Sequence, residues 1–359
     1  MPSVLRTVAV DAMGADTAPG PEVEGAVRAV NEGLAQVILV GDQARLLTAV
    51  EAERGGPEAL VKGLRVHHAG EVITMGDHPA AAVRAKKDSS MRVCFDLVER
   101  GDAHAVVSAG NSGAMLACGL FVMKRLPGVE RPGILTTFPS ASGVCALLDM
   151  GANVECRPQN LAQFAVLGAT YARLQHRKST PRVGLLSNGE EAHKGTELTR
   201  ATHELLRAGK SRGLLDFEYL GYVEGKDIFG GRVDVVVTDG FTGNIVLKTA
   251  EGAGQVLFGL LKAEILRTVV GKLGAVLLRD AFARLKKILD YDEQGGAPLV
   301  GIDGVAIICH GRSNAKAIKN GVRVAAELSQ AGLVPSLTAA ISRHAPLWAT
   351  ETNKKAEQA

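Results

Sequence analysis

The chain has few aromatic residues, 4% of the total with a single tryptophan, and it lacks a strong excess of charge of either sign. Forty-one lysines and arginines stand against 38 aspartates and glutamates, a formal charge of +3. Such a balance argues against a general nucleic-acid binder, although an average can conceal a local patch. There is no Cys-x-x-Cys pair among Cys94, Cys118, Cys145, Cys156 and Cys309. Scattered and odd in number, they read as reduced, mostly buried thiols, not as a disulfide framework or a zinc site. The phosphate-binding GxxxxGK[ST] loop, the dinucleotide GxGxxG turn after the first strand, the GxSxG elbow and the HExxH helix are all missing. The N-terminal run reaches Asp11 where the apolar stretch of a secretory signal should continue, so no signal is expected. Only Ala103–Met123, free of Asp, Glu, Lys and Arg, approaches the roughly 20 residues of a membrane span. It contains His104, Ser108, Asn111, Ser112 and three glycines, which fit a buried strand, a glycine turn and a buried helix better.

What the chain does have is glycine: 42 residues, about 12% against about 7% on average. It also has a regular alternation. Short apolar runs at Val8–Val10, Val37–Val40, Leu64–His67, Ala105–Val107, Ile134–Phe138, Val144–Leu148, Val183–Leu186 and Val233–Val237 predict strands. Most are apolar on successive residues, as strands covered on both faces are. Helical patterns lie between several of them, at Asp42–Glu53 with Asp42 as the N-cap and Gly55-Gly56 as the stop, at Leu161–Leu174 and at Gly195–Leu206. The spacing therefore predicts an α/β protein with a largely parallel sheet and one hairpin around Ser140–Gly143. Strands at Val300–Ile302 and Val305–Cys309 precede a last long helix from about Ser313 to Ser329. No repeat or Ser/Pro-rich linker divides the chain. It reads as one catalytic domain over 1–335, with a helical insertion at about 252–290 and a C-terminal tail, 336–359, frayed at its end.

Small polar loops follow the strands: Asp11-Ala-Met-Gly-Ala-Asp16, Ser108-Ala-Gly-Asn-Ser-Gly113, Asp149-Met-Gly-Ala-Asn153, Ser187-Asn-Gly-Glu-Glu191 and Thr238-Asp-Gly-Phe-Thr-Gly-Asn244. Each alone is ordinary turn chemistry. Five of them on one expected sheet edge suggest an anion site built from backbone N–H groups, with Lys194 and Lys248 nearby. Asp11, Asp16, Asp149 and Asp239 carry the right chemistry for Mg²⁺, but spacing does not gather them. His310, in His310-Gly-Arg-Ser313 after a strand, suits either a general base or a phosphate donor.

The region 252–290 stands apart. Val256–Val270 is apolar nearly all round a helix. Farther on, Leu277, Phe282 and Leu285 share a face opposite Arg279, Lys286 and Lys287. Between Lys262 and Lys287 lie seven basic and two acidic residues, so the rest of the chain is mildly acidic. Such helices suit a dimer interface, an anionic membrane surface, or both.

Taken together, the loops resemble those of the bacterial phosphate acyltransferases of phospholipid synthesis. The resemblance rests on Asp11–Asp16, Ser108–Ala114, Gly189-Glu-Glu191 with Lys194-Gly195, Asp239–Asn244 with Leu247-Lys-Thr249, Gly295–Leu299 and His310–Ser313, in order along nearly the whole chain. Two departures are visible: Ala15 stands where the family has a glycine, and Ser187-Asn188 where it has Asn-Ile.

The resemblance implies a Rossmann-like α/β/α sandwich related to phosphotransacetylases and the isocitrate/isopropylmalate dehydrogenases. It implies transfer of a long-chain acyl group from acyl-acyl carrier protein to inorganic phosphate, with no cofactor and no metal. The acyl phosphate would feed an acyl-phosphate-dependent glycerol-3-phosphate acyltransferase. A cytoplasmic homodimer on the inner face of the cell membrane is implied as well. On this reading Lys194, Asp239, His310 and Asn111 are the candidate catalytic residues. Asp11, Gly14, Ser108, Ser112, Asn244, Lys248 and Ser313 are expected around the phosphate. The loops suit that chemistry, because fixed donors at a thioester oxygen and charge around phosphate are what it needs. A metal-dependent decarboxylating dehydrogenase, a short-chain phosphotransacetylase and a carrier-binding membrane scaffold are the competing readings.

Overall fold

The computed structural model describes residues 5–54, 62–191, 193–289 and 291–349. The Gly55-Gly56 stop and the tail from 350 lie outside the described residues, as do the side chains of Lys286 and Lys287.

From the N-terminus, β1 (Thr7–Asp11), β2 (Gln36–Gly41), β3 (Leu64–His68) and β4 (Ala105–Ser108) are joined through α1 (Gly20–Asn31), α2 (Gln43–Arg54), α3 (Pro79–Ala85) and α4 (Ser90–Glu99). Then α5 (Ser112–Cys118), with a π-helical turn at Gly119–Met123, leads to the hairpin β5 (Gly133–Ser140) and β6 (Gly143–Leu148). Next come α6 (Pro158–Gln175), β7 (Arg182–Leu186), α7 (Glu197–Ser211), β8 (Glu218–Val223), α8 (Gly225–Gly230) and β9 (Val235–Val237). Four helices follow in succession: α9 (Gly240–Leu266), α10 (Val269–Leu277), α11 (Arg279–Leu289) and α12 (Tyr291–Gln294). The chain closes with β10 (Ala297–Val300), β11 (Ala306–Ile308), α13 (Ala315–Gln330) and α14 (Leu333–Trp348).

The eleven strands of the described residues form one sheet, in the order β3-β2-β1-β4-β11-β10-β5-β6-β9-β7-β8. Successive apolar residues are needed because both faces are covered. Val8, Val10, Leu39 and Val107 pack into one core layer with α1, α6 and α13, whereas Ala9, Ile38, Val40 and Val106 pack into another with Met91, Phe95 and Met115. This is the α/β/α layering expected. Ala103–Met123 is the strand, turn and helix anticipated, and no helix of the described residues is by itself long and apolar enough to cross a membrane.

Strand direction corrects one expectation. β1, β2, β3, β4 and β11 run parallel to one another, as do β6, β9, β7 and β8. Between these sets β10 is antiparallel to both β11 and β5, and β5 is antiparallel to β6. The loops after β6, β7 and β9 therefore leave the sheet in the opposite sense to those after β1, β4 and β11. They do not share one edge. The two halves meet at β10, where Leu299 pairs with Ala306 on one side and Ile134 on the other.

Other differences have local causes. β8, Glu-Tyr-Leu-Gly-Tyr-Val, was not expected, because a glycine and polar positions interrupt it; it is the edge strand, where one side needs no partner. The expected strand Val300–Ile302 is shifted to Ala297–Val300 and ends at Gly301, whose φ of +94° breaks the extended run. Residue 336, where the tail was expected to begin, lies inside α14, whose Leu337, Ile341 and Leu347 are buried. The helix expected over Val256–Val270 breaks at Arg267–Thr268, and the Thr268 hydroxyl caps α10 by accepting the Gly271 N–H at 3.0 Å.

Beyond Leu247, α9 leaves the body of the protein. Val256, Leu257, Leu260, Leu273 and Leu277 are all exposed, and Val269 and Val270 retain 82% and 80% of their accessible surface. On α11, Phe282 is half-buried and Leu285 exposed. Three helices carry this apolar surface, where two were expected.

Candidate active site

Asp11 ends β1 with a carboxylate that is buried and fully engaged. Oδ1 accepts the Ser90 hydroxyl at 2.6 Å and the N–H groups of Met13 and Gly14 at 3.3 and 3.2 Å, while Oδ2 accepts the Ser108 hydroxyl at 2.7 Å. Gly14 is required here, since a Cβ would stand 2.5 Å from Asp11 Oδ2. Ala15, the family departure, has no left-handed φ and sits in the turn without strain. Asp11, Gly14 and Ser108 thus hold the β1 and β4 loops together, and none of their polar groups is left to face a ligand.

Asn111 is similarly occupied. Its Oδ1 caps α5 by accepting the Ala114 N–H at 3.1 Å, and its Nδ2 points at the carbonyls of Met75 and Asp77 at 3.2 and 3.3 Å. It fixes the helix start, and the exposed Ser112 one residue on is the side chain free to donate.

In the β11 loop, His310 Nδ1 accepts the Arg312 N–H at 3.3 Å. That contact leaves the ring proton on Nε2, as a donor. Ser313 is buried, gives its N–H to the His310 carbonyl at 2.8 Å, and its hydroxyl has no partner among the described residues.

The other half of the sheet is organised by two more aspartates. Buried Asp149 accepts the N–H groups of Ile134, Gly151, Ala152 and Asn153 and the Asn153 amide. Burial raises its pKa, and these bonds act in the opposite direction. Asp239 caps α9, accepting the Thr242 N–H at 2.8 Å and the Thr242 hydroxyl at 2.9 Å. Asn244 and Lys248 follow on the first turns of that helix, with Lys248 Nζ 2.9 Å from Glu251. In the β7 loop, Asn188 Oδ1 accepts the Gly195 N–H at 2.8 Å, which closes the loop carrying Lys194, and the Lys194 stem lies across Gly189. So the departure at 187–188 places its useful atom on Asn188.

The two halves face each other across a cleft of about 260 Å³. Ser112, Asn244, Lys248 and His310 line it, as the sequence suggested, together with Arg312. Asp16, named above only among the aspartates suited to Mg²⁺, lines it too, as do Met75, Met150 and Glu251, which had not been singled out. Lys194, Asp239, Asn111, Asp11, Gly14, Ser108 and Ser313 are absent from that lining. Met75 and Met150 had no sequence signal beyond their neighbours, whereas Glu251 was legible as the i+3 partner of Lys248. Among the described residues no three His, Cys, Asp or Glu side chains form a metal-binding group. Cys309 also lines the cleft, but burial pushes its thiol up to about 12, far from a thiolate nucleophile at neutral pH.

Residues 6–335 match a family model described as fatty acid synthesis protein. The chain is similar to the phosphate acyltransferase of Geotalea uraniireducens (strain Rf4), 51% identical over 341 residues, which is 95% of this chain and 96% of the relative. It is also similar to the phosphate acyltransferase of Geobacter sulfurreducens (strain ATCC 51573 / DSM 12127 / PCA), 52% identical over 326 residues, 91% of each. Its fold is like that of a phosphotransacetylase from Streptococcus pyogenes, with a TM-score of 0.64 at 17% identity, covering 91% of this chain and 94% of that one. A 4-hydroxythreonine-4-phosphate dehydrogenase from Klebsiella pneumoniae shares the fold at a TM-score of 0.53 and 15% identity, covering 92% of this chain and 100% of that one. On the family match and this identity over nearly its whole length, the chain belongs to the phosphate acyltransferases, acyltransferases of fatty acid and phospholipid synthesis.

Proposed function

We propose that the protein transfers a long-chain acyl group from acyl-acyl carrier protein to inorganic phosphate, by direct attack of phosphate on the thioester. The observation that carries this reading is the cleft itself. Lys248 and Arg312 from opposite halves of the sheet line it beside three further donors, Ser112, Asn244 and His310. Lys248 and Arg312 offset phosphate charge, and the donors meet the oxyanion that develops on the carbonyl. Lys194 stands on the loop after β7, next to β9 in the sheet, and is assigned charge compensation from the same side.

A phosphate oxygen bonds to the acyl carbon, the C–S bond breaks, and the thiolate leaves with its electron pair and takes up the proton released by phosphate. A thiolate is a good enough leaving group that no acyl-enzyme is required. Asp239 has both oxygens committed to its helix cap, and His310, whose Nδ1 accepts the Arg312 N–H, presents Nε2. The chain thus supplies positioning and donors more than a base.

The acyl phosphate is assigned to an acyl-phosphate-dependent glycerol-3-phosphate acyltransferase, toward phosphatidic acid. The exposed apolar residues of α9–α11 are assigned to a homodimer contact and to the anionic inner face of the cell membrane, with the protein otherwise cytoplasmic. The sheet and its helices through α14 act as one catalytic unit with that helical insertion. No cofactor or metal is invoked.

The deciding experiment mixes the protein with palmitoyl-acyl carrier protein and phosphate and traps acyl phosphate with hydroxylamine. Hydroxamate that forms only when phosphate is present supports the reading; its absence, or reduction of a nicotinamide, overturns it.

A further inference from the structure

A second cavity, of about 440 Å³, shares no lining residue with the cleft. Its walls are Arg125, Glu130, Arg131, Glu155, Cys156, Arg157 and Asn160. Three guanidinium groups face it, and among the described residues none of them has a carboxylate within ion-pair distance. Glu130 and Glu155 line it too, so three cations stand against two carboxylates, and the Glu130 carboxylate is held by the amides of Gln159 and, at 2.8 Å, Asn160. Its backbone is held as well, the N–H by Gln163 at 2.9 Å and the carbonyl by Arg125 Nη1 at 2.6 Å. The eighteen-residue helix α6 starts at this wall with no acidic side chain in its first turn, so its dipole adds to the positive field. Exposed arginines that outnumber the carboxylates around a concave space, and that make no direct ion pair among the described residues, are suited to a phosphate group, which a planar guanidinium grips with two bonds.

The cavity is also close to the reaction cleft. Arg131 is three residues from Ile134, a distance of at most about 10 Å, and Ile134 lines the cleft. On the other side, Met150 lines the cleft at the head of the loop that ends in Glu155, Cys156 and Arg157. Asn153 ties the two segments together through Nδ2, which reaches the Pro132 carbonyl at 2.7 Å and Asp149 at 2.9 Å. A ligand with a thioester in the cleft and a phosphate in the arginine cavity would lie along one rigid wall.

We propose that Arg125, Arg131 and Arg157 hold the phosphate of the phosphopantetheine arm on which the acyl donor is carried, an assignment that rests on the thioester-donor reading above. The inorganic phosphate that reacts has separate cations, Lys248 and Arg312, inside the cleft.

The test titrates 4′-phosphopantetheine, pantetheine and inorganic phosphate calorimetrically into the full-length protein and into Arg157→Gln and Arg131→Gln/Arg157→Gln variants. Arg157 makes no ion pair among the described residues, so its replacement removes charge without breaking one there. The wild type is expected to prefer phosphopantetheine to pantetheine at least tenfold. The double variant should bring that ratio close to one and leave pantetheine binding unchanged. A wild type without the preference, or a double variant that keeps it, overturns the proposal. So does a variant that loses inorganic phosphate and retains the ratio, because the cavity would then serve free phosphate. If the preference behaves as expected but the wild type makes no acyl phosphate from an acyl-phosphopantetheine, the arginine site stands and the phosphate-transfer reading falls.

Discussion

Ser108 at the end of β4 donates its hydroxyl to Asp11 at the end of β1, 2.7 Å away, across two strands that pair in parallel. The carboxylate is buried and takes two hydroxyls and two amides, so its charge is solvated by the loops it orders. Asp11→Asn should lower stability by about 2–3 kcal/mol and Ser108→Ala by about 1–2, because each leaves buried groups unpaired. Thermal and urea unfolding check this, and wild-type stability in both variants would remove Asp11 as the organiser of these loops.

His310 is expected to act through Nε2–H. His310→Gln keeps an N–H donor and should retain kcat within about tenfold, whereas His310→Ala should lose about 10²–10³-fold. Equal losses in the two variants, measured by acyl phosphate formation, would point instead to proton abstraction by the imidazole.

Charge on the phosphate is assigned to Lys194 and Lys248. Lys194→Ala and Lys248→Ala should each lower kcat/KM for phosphate by about 10–100-fold and change the donor's KM far less. Near-wild-type kcat/KM for phosphate in Lys194→Ala would take that residue out of the site.

Glu22, in the first turn of α1, is fully buried and neither carboxylate oxygen has a partner among the described residues. Burial, with Asp11 adding, pushes its pKa up from 4.5 to about 7. The folded protein thus keeps a proton that the unfolded chain releases. Its contribution is complete below about pH 4.5 and is lost as pH rises through about 7. Between pH 5 and 8 the wild type should lose on the order of 1–3 kcal/mol relative to Glu22→Gln. Urea denaturation curves that shift in parallel for both proteins over that range would contradict this.

Leu277 and Leu285 face solvent at 80% and 40% exposure. Leu277→Glu and Leu285→Glu should weaken co-sedimentation with anionic vesicles at least severalfold and leave turnover of a soluble donor unchanged. Unaltered vesicle binding would set the membrane role aside and leave these helices to the dimer contact, which sedimentation of Leu260→Glu would probe.

Most strands were legible because both faces of each are covered, which writes apolar residues at successive positions such as Val8, Ala9 and Val10. Strand polarity was not legible. The Asp149 and Asp239 loops carry the same small polar residues as the Asp11 loop, and only the antiparallel pairing of β10 and β5 shows that they leave in opposite senses. In the site, polar residues in glycine loops were found, but their tasks were not separable. Asp11, Asn111 and Asp239 look like ligand contacts in sequence and are spent on capping and loop closure, while His310, Ser112, Asn244 and Lys248 reach the cleft. A side chain's hydrogen-bond partners depend on residues far away along the chain, as Ser90 and Ser108 do for Asp11, and no local pattern records them.

The placement of β11 bears on how the protein is made. β4 ends at residue 108, yet the strand that covers its open side, residues 306–308, emerges from the ribosome about two hundred residues later. Until then the N-terminal half carries an unpaired edge at β4, and the apolar helices of α9–α11 are already synthesised and uncovered. A nascent chain in that state is prone to pair with a neighbour. Contacts so distant in sequence also slow folding. Translation has to pass residue 308 before either half of the reaction cleft can meet the other.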